Sequence, residues 1–160
     1  MLKQLCKHSK VFVDARGNLE IIYEKNPFVL KRSLSRKGTF RGLHYQRKPY
    51  EQTKIIRVVS GLITDFVAQP DDIEQVVWYK KISPSDGWFL VENSLAHGFF
   101  ANEESVFEYM CIGAYSETSE QTLNISEIFK KYFNEENLIL SDKDKNGTDY
   151  GKRLIEIVES

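Results

Sequence analysis

Two neighbouring segments decide the fold: Thr39–Gln46, with the sequence TFRGLHYQ, and Gln52–Ser60, with the sequence QTKIIRVVS. Both are short and rich in β-branched and aromatic residues, a composition that favours strands. Lys48-Pro49 separates them and Ser60-Gly61 closes the second, and such dipeptides are typical of turns. The two segments therefore predict consecutive β-strands.

The same pattern extends to both sides of these two segments. Val11–Val13 and Leu19–Tyr23 flank the turn Asp14–Gly17 and predict an N-terminal hairpin. Short strands bounded by turns, without helical patterns between them, indicate an antiparallel sandwich or barrel. Four further segments have this strand-like composition: Leu62–Ala68, Gln75–Ile82, Trp88–Val91 and Val106–Gly113.

Helical patterns occur only in the C-terminal third. Ser126–Phe133 begins with Ser126, an N-cap candidate, and Lys152–Val158 carries apolar residues at helical spacing. A chain of 160 residues is about one domain long and can bury a core of its own. We therefore predict a single domain, residues 1–160, with an all-β core and a short helical C-terminal tail.

Composition narrows the possible partners. The 22 Lys and Arg residues nearly balance the 23 Asp and Glu residues, for a net charge of -1. Because proteins that coat nucleic acid or membranes carry a basic excess, we expect no nucleic-acid and no membrane partner. No apolar run approaches about 18 residues, and Met1–Lys10 is polar, so we expect neither a membrane span nor a signal peptide. Cys6 and Cys111 then fit free or buried thiols in a cytoplasmic protein.

The charges are unevenly distributed along the chain. The segment Lys31–Arg57 holds nine basic residues and one acidic residue, Glu51. The segment Asp71–Glu108 holds eight acidic residues and only two basic ones. The basic segment is either a solvated face or one wall of a pocket for an anion such as phosphate, and charge counting leaves both interpretations open.

Polar residues lie on predicted buried faces. Asp65 alternates with Ile63 and Val67, and an inward carboxylate needs a His, Arg or hydroxyl partner. His44 shares the face of Phe40 and Gly42, where the missing side chain would leave room for a ligand.

Two more polar residues have apolar neighbours. Tyr109 alternates with Phe107 and Cys111, and His97 lies between Leu95 and Phe99. Any one of these side chains alone is more often a hydrogen-bonded core residue than a catalyst. Together with the basic segment, inward His, Asp and Tyr side chains indicate a small-molecule site inside the sandwich or barrel.

The residue spacing argues against a metal. Small β-barrels often bind metal through a His-x-His pair on one strand, and here Gln46 takes the second position after His44. Asp142–Gly147 resembles the first half of an EF-hand loop, but the twelfth position is Arg153 instead of Glu. We therefore expect neither a metal nor another cofactor.

The segments Gly38–Gln46 and Gln52–Gly61 resemble the dTDP-4-dehydrorhamnose 3,5-epimerase family. The resemblance extends from about Asp14 to Asp144. It implies a cupin-type jelly roll that works as a homodimer without metal. The other segments that carry it are Leu95–Phe99, Phe107-x-Tyr109, Tyr115–Glu120 and Leu140–Asp144.

The resemblance also implies catalytic roles. His44 matches the catalytic base, Asp144 the carboxylate that pairs with it, and Tyr109 the acid on the opposite side of the sugar. The match of Tyr109 assumes a one-residue deletion within Asn102–Ser105; without that deletion Met110 would take the position.

Substrate-binding roles follow in the same way. Lys54 matches a lysine near the sugar 4-keto oxygen, and Arg16 and Arg41 match arginines that hold the diphosphate. The other residues that the resemblance places around the substrate are Asp65, His97, Tyr115 and Glu120, the last near the nucleotide base.

The implied reaction inverts C3, C5 or both in a nucleotide-diphosphate 4-keto-6-deoxy sugar by way of an enolate. Such a product belongs to deoxysugar biosynthesis, as for lipopolysaccharide or capsule. One alternative is a nucleotide-sugar 3,4-ketoisomerase, which uses the same deprotonation. A second is a non-catalytic cupin that binds a nucleotide sugar.

Several positions depart from the family pattern without touching the catalytic set. They lie at the nucleotide end and around the sugar, so the nucleotide, the sugar and the inverted carbons stay open. The departures are Val29 and Lys31 in place of amides, Met110 and Ile112 after Tyr109, Leu123–Ser126, and a shortened loop at Asp71–Gln75.

Overall fold

In the computed structural model, residues 10–71, 76–149 and 156–160 are described, and they form two β-sheets that enclose a common interior. Two helices, α1 (Ser126–Phe133) and α2 (Asp142–Lys145), follow the main strands. The strands are β1 (Lys10–Asp14), β2 (Gly17–Lys25), β3 (Phe28–Ser35), β4 (Phe40–Gln46), β5 (Thr53–Ser60), β6 (Ile63–Ala68), β7 (Val76–Ile82), β8 (Phe89–Val91), β9 (Ala96–Ala101), β10 (Ser105–Ile112), β11 (Glu120–Asn124), β12 (Thr148–Asp149) and β13 (Glu156–Glu159).

The two sheets differ in size and pairing. The first has six strands in the order β1-β2-β3-β10-β5-β8, and all of its paired strands are antiparallel. The second has seven strands in the order β12-β11-β4-β9-β6-β7-β13. Its pairs are antiparallel except at the two edges, where β11–β12 and β7–β13 are parallel. The predicted all-β core is thus confirmed.

Every predicted strand is present, and five strands were not anticipated: β3, β9, β11, β12 and β13. β3, β9 and β11 lack a clear alternating pattern in the sequence. In β9, all six residues of the sequence AHGFFA are buried, and its Ala and Gly residues are weak strand formers. Pairing with β4 and β6 on its two sides holds this strand, a tertiary effect that local composition does not reveal.

The helical tail was predicted only in part. α1 has the predicted bounds, but Ile125 occupies the N-cap, and the Asn124 side-chain oxygen accepts from the Ser126 backbone N–H at 2.9 Å. The prediction of a second helix over Lys152–Val158 is wrong where the structure describes it. Glu156–Glu159 is a strand that pairs with β7 and buries Ile157. These tertiary contacts override the helical spacing of the apolar residues, which is ambiguous in so short a segment. Residues 150–155 lie outside the described part.

Two apolar cores hold the layers together. The first lies between the sheets and includes Ile56 from one sheet and Phe99 from the other. The second lies between the seven-stranded sheet and α1, where the buried Phe129 ring packs 5.3 Å from Phe40 and 5.6 Å from Phe66. Because both faces of the second sheet are covered, its central strands are buried almost throughout.

Cys111 is a buried free thiol, as predicted, and Cys6 lies outside the described residues. Among the described helices, none has the length and apolar character needed to cross a membrane.

A bulge in β4 changes which residues face the interior. The pairing of β4 with β9 shifts register between Arg41 and His44, next to Gly42 at φ 105°. The expectation that His44 shares the face of Phe40 is therefore wrong: Phe40 packs against α1, whereas Arg41 and His44 both face the space between the sheets. A bulge inserts one residue and breaks the period of two.

Gly42 is also not the open space that its missing side chain suggested. A Cβ atom at this position would lie 2.7 Å from the His97 carbonyl oxygen and 2.9 Å from the Gly98 Cα. The glycine thus permits close approach of β4 to β9, not of a ligand.

This contact predicts the cost of an alanine at Gly42. Gly87 is a matched control, because its φ of 78° is also positive but a Cβ there would meet nothing within 4 Å. We expect Gly42→Ala to lower the free energy of unfolding by about 1–3 kcal/mol more than Gly87→Ala, since only Gly42 adds a backbone clash to the strained φ. Urea unfolding of both variants measures the difference, and equal losses would show that the close approach is not tight.

Candidate active site

A cavity of about 330 Å³ lies between the two sheets. Strands β3, β5 and β10 of the first sheet form one wall, and β4 and β9 of the second form the other. Most of its polar lining residues were predicted from the sequence. The lining residues are Arg16, Leu19, Lys31, Ser33, Arg41, His44, Lys54, His97, Gly98, Phe99, Phe107, Tyr109, Tyr115, Glu120, Ser141 and Lys143.

His44 and Asp144 form a close pair on the wall made by the second sheet. The His44 Nε2 atom lies 2.5 Å from Asp144 Oδ1, and the carboxylate is completely buried. Since a carboxylate only accepts, Nε2 carries the proton and Nδ1 is the basic nitrogen of the neutral ring. The pair thus has the arrangement of a general base whose tautomer is fixed by a carboxylate.

Two further contacts hold Asp144 in place. Its backbone N–H donates to the Ser141 hydroxyl at 3.1 Å, which caps α2, and Arg16 Nη1 donates to Oδ2 at 3.1 Å. Burial by itself raises the pKa of Asp144, but the hydrogen bonds to His44 and Ser141 and the charge of Arg16 outweigh burial and lower the pKa. Asp144 is therefore ionised near neutral pH.

Tyr109 faces the cavity from the opposite sheet. It lies on β10, with its ring centroid 5.5 Å from that of Phe107, and both rings line the cavity. Met110 is absent from the lining, so the geometry favours Tyr109 over Met110 as the matching residue. Burial raises the pKa of Tyr109, so its hydroxyl keeps its proton at neutral pH.

Lys54 and Arg41 bring positive charge to the same space. Lys54 Nζ donates to the His44 carbonyl oxygen at 3.1 Å, which fixes the ammonium group beside His44. Burial lowers the pKa of Lys54. Arg41 Nε donates to the Ser35 hydroxyl at 2.9 Å, and burial, together with the charge of Arg16, lowers the pKa of Arg41 to about 10.

His97 and Asp65 form a second pair, behind the cavity surface. His97 Nε2 lies 2.8 Å from Asp65 Oδ1, both side chains are buried, and the His97 ring stacks on Phe107. Only His97 lines the cavity; Asp65 was expected to line it and instead orients His97 from behind. The pair also supplies the partner that an inward carboxylate requires.

The other end of the cavity carries Tyr115, Glu120 and Lys143. The Tyr115 hydroxyl donates to Glu120 at 2.9 Å, and Lys143 forms an ion pair with the same carboxylate. Burial acts to raise the pKa of Glu120, but the hydrogen bonds from Lys143 and Tyr115 and the positive charges nearby together outweigh burial and lower the pKa. Tyr115 is half exposed, so this end is the mouth of the cavity.

The basic segment divides between the two faces of the sheets. Lys31, Arg41 and Lys54 face the cavity. Arg32 and Arg57 instead face outward, where both bind the buried carboxylate of Glu108. The segment therefore contributes both to a cavity wall and to an outer face, and anion binding by the cavity stays a prediction.

Sequence reasoning did not assign a site role to four residues that line the cavity: Lys31, Ser33, Ser141 and Lys143. Lys31 lies directly opposite Tyr109 in the β3–β10 pairing, and only the strand register shows this. The EF-hand-like stretch that begins at Asp142 forms α2, which places the Asp144 carboxylate against the His44 ring. Within the described ranges, no group of three or more His, Cys, Asp or Glu side chains is arranged to hold a metal ion.

Comparison with known proteins decides the family. The profile of the family described as dTDP-4-dehydrorhamnose 3,5-epimerase matches residues 4–151, nearly the whole chain. The chain belongs to this family. A Shigella flexneri dTDP-4-dehydrorhamnose 3,5-epimerase is 33% identical over 159 residues, which cover 88% of this chain and 78% of that protein. Members are isomerases, which confirms the predicted enzyme class.

Solved structures agree with the fold. The Sulfolobus tokodaii dTDP-4-dehydrorhamnose 3,5-epimerase superposes with a TM-score of 0.66 at 31% identity, over 87% of this chain and 85% of that one. A Legionella pneumophila 3,5-epimerase in complex with dTDP-4-keto-L-rhamnose superposes with a TM-score of 0.62 at 22% identity, over 88% of this chain and 84% of that one. The predicted cupin-type jelly roll is confirmed.

The Asp144 contacts predict a pH-dependent stability. The pKa of Asp144 is lower in the folded protein than in the unfolded chain. The ionised carboxylate therefore stabilises the fold fully above the ordinary Asp pKa of about 4. This stabilisation is lost as the pH falls through the lower pKa of the folded state. We expect Asp144→Asn to lower the free energy of unfolding by about 2–4 kcal/mol at pH 7, and by less at pH about 3.

Urea unfolding at the two pH values measures this difference. Asp142→Asn is the control, because it makes the same change in α2 at a side chain that is 96% exposed. It should change stability by less than about 0.5 kcal/mol at either pH. A loss for Asp144→Asn that is equal at both pH values would contradict the assigned ionisation.

Proposed function

We propose that this protein epimerises C3, C5 or both in a nucleotide-diphosphate 4-keto-6-deoxy sugar. One observation carries the proposal: the His44–Asp144 pair and Tyr109 face one cavity from opposite sheets. Inversion of a carbon needs a base on one side and an acid on the other, because the new proton must arrive at the opposite face.

Proton removal is the first step. The 4-keto group acidifies the hydrogens on the neighbouring carbons, and the unprotonated Nδ1 of His44 takes one of them. Asp144 then stabilises the imidazolium that forms, through the hydrogen bond to Nε2. The carboxylate stays ionised through this step, since its pKa lies below the ordinary value.

The intermediate is an enolate, with negative charge on the sugar O4. Lys54, fixed beside His44 by its bond to the backbone carbonyl, supplies the opposing charge. A buried cation stabilises the enolate more than the neutral ketone, so it accelerates proton removal and not only binding.

Reprotonation comes from Tyr109. Its raised pKa keeps the phenol protonated at neutral pH, so it can deliver a proton to the face opposite His44. The tyrosinate that results is stabilised by the cations in the cavity, including Arg41, whose charge acts to lower the pKa of Tyr109.

The rest of the substrate occupies the basic part of the cavity and its mouth. Arg41 and Arg16 anchor the diphosphate through charge-assisted hydrogen bonds. Tyr115 and Glu120 meet the nucleotide end, and His97 contacts the sugar.

Hydrogen exchange tests the proposal. Incubation of the protein with dTDP-4-keto-6-deoxyglucose in D2O should place deuterium at C3, at C5 or at both, as read by NMR. Exchange at both positions identifies a 3,5-epimerase and exchange at one identifies a single-site enzyme. No deuterium at either carbon would contradict the proposal for this substrate.

Variants separate the two catalytic roles. His44→Ala should slow exchange by about a hundredfold or more, because it removes the proposed base. Tyr109→Phe should impair inversion more than exchange, since it removes the proton donor and leaves the base. Tyr50→Phe, at an exposed tyrosine outside the cavity lining, is the matched control. Equal exchange and inversion in Tyr109→Phe would count against its role as the acid.

The same experiment distinguishes the alternatives. A product with its carbonyl group at C3 would identify a 3,4-ketoisomerase. Binding of the nucleotide sugar without any solvent exchange would identify a non-catalytic cupin. The cytoplasmic location stays a prediction.

We further infer a homodimer that forms through the outer face of the first sheet. Three large apolar side chains are exposed there: Val59 at 40%, Trp88 at 55% and Leu90 at 64%. Arg57 stacks on Trp88, with 4.6 Å between guanidinium and ring centroid. An apolar patch on an otherwise regular sheet is typical of an isologous interface.

Charge insertion in this patch tests the dimer. Leu90→Glu should convert the protein to a monomer, because a carboxylate cannot be buried there without a partner. Tyr132→Glu, at a residue that is 56% exposed on α1 at the far side of the second sheet, should leave the assembly intact. Sedimentation velocity measures both variants, and a wild-type monomer at micromolar concentration would refute the inference.

A further inference from the structure

Arg16 joins two carboxylates that lie far apart in the sequence. Its Nη1 atom donates to Asp144 Oδ2 at 3.1 Å, and its Nη2 atom donates to Asp14 Oδ2 at 2.6 Å. We call these three residues, Asp14, Arg16 and Asp144, the Arg16 bridge. Asp144 binds His44 through its other oxygen, so the contacts run without a gap from the N-terminal hairpin turn to the proposed base.

Asp14 holds the Arg16 side chain in one orientation. Its Oδ1 atom accepts the Arg16 backbone N–H at 2.9 Å, and its two oxygens accept from Nε at 3.2 and 3.1 Å. The Arg16 main chain is fixed as well, because its carbonyl oxygen accepts from the Arg36 N–H at 2.8 Å and from the Thr39 hydroxyl at 3.2 Å. Ordering a long arginine side chain costs rotamer entropy, and Asp14 supplies that order from within the protein.

Asp14 itself lies outside the cavity. It is absent from the cavity lining, and its side chain is 46% exposed. The Arg16 side chain, by contrast, is 16% exposed, and that of Asp144 is fully buried. The structural path from Asp14 to the proposed base therefore runs through Arg16 and not through the substrate.

The bridge also balances charge beside His44. An arginine alone next to Asp144 would oppose the positive charge that develops on His44 when it takes a proton. The hydrogen bond from the Arg16 side chain lowers the pKa of Asp14, so this carboxylate too is ionised near neutral pH. Two carboxylates thus flank one guanidinium, and the bridge keeps a net negative charge near the base.

We propose that Asp14 is a positioning residue for the reaction, which acts through Arg16 to fix the Asp144 carboxylate in the orientation that His44 requires. Asp14 makes no contact with the substrate in this role. The proposal rests on the proposed function for the reaction itself. The effect of Asp14 on the hydrogen bond between Asp144 and His44 is independent of any substrate.

Asp14→Asn tests the bridge in the protein without substrate. The amide oxygen can still accept the Arg16 backbone N–H, so the turn keeps that contact while the ion pair to the guanidinium is lost. We expect the Nε2 proton of His44 to resonate at higher field in the variant than in the wild type, because its hydrogen bond to Asp144 lengthens. Proton NMR of the protein with 15N-labelled histidine measures this shift.

Steady-state kinetics with dTDP-4-keto-6-deoxyglucose gives a second readout. Asp14→Asn should lower kcat about tenfold, the size typical of an outer partner that orients a functional group. KM should stay within about twofold, because the groups that bind the substrate are unchanged.

A double variant shows whether the effect passes through Arg16. Arg16→Met alone should lower kcat and raise KM, since Arg16 also faces the cavity. Adding Asp14→Asn to Arg16→Met should change kcat by less than about twofold more, because the path from Asp14 to Asp144 is already broken.

Asp86→Asn is the matched control. Asp86 also accepts a backbone N–H, that of Ser83 at 2.7 Å, but it is exposed and absent from the cavity lining. This variant should keep the wild-type His44 resonance and the wild-type kcat. All assays are run below the unfolding midpoint of each variant.

The outcomes separate this proposal from the proposed function. Either a wild-type His44 resonance or a wild-type kcat in Asp14→Asn would overturn it. A full additional loss of kcat in the double variant would also overturn it, by showing that Asp14 acts along another path, such as its charge on Arg41. If the resonance moves but the wild type does not exchange the sugar protons, the bridge stands and the proposed substrate is wrong.

Discussion

The buried carboxylate of Asp144 is the interaction on which the site depends. It accepts from His44 on β4 and from Arg16 in the N-terminal hairpin turn, while its own backbone is held by the cap of α2. Three segments far apart in the chain therefore meet at one charge. A buried ion is stable only when its partners are in place, so correct packing of these segments and ionisation of Asp144 require each other.

The two sheets contribute different side chains to the cavity. The second sheet is covered by α1 on one side, so its inner face can carry His44, Arg41 and His97 on a rigid support. The first sheet presents Tyr109 and Lys54 to the same space. A site built between two packed sheets holds the proposed base, His44, and the proposed acid, Tyr109, on opposite walls, which suits a reaction that changes the configuration of a carbon.

Strand alternation explains how a nearly neutral chain can line a cavity with cations. Along the basic segment Lys31–Arg57, the period of two sends some cations into the cavity and others to the outer face. Glu108 binds the outward cations: burial acts to raise its pKa, but the hydrogen bonds from Arg32 and Arg57 outweigh burial and lower it. The net charge of -1 thus conceals a cationic cavity and a locally neutralised surface.

The sequence by itself determined the all-β class, most strand positions and α1, because composition, turn residues and side-chain type are local properties. Strand alternation and apolar neighbours pointed to His44, Asp65, His97 and Tyr109 as inward polar residues, and the family resemblance supplied the other predicted site residues. The sequence also predicted that Asp65 needs a polar partner. Only the tertiary structure decided that His97 is that partner, that the bulge at Gly42 turns Arg41 and His44 to the same side, and that Lys31 lies against Tyr109. These features depend on strand register and on contacts between distant segments, and a local pattern carries no information about which strands become neighbours.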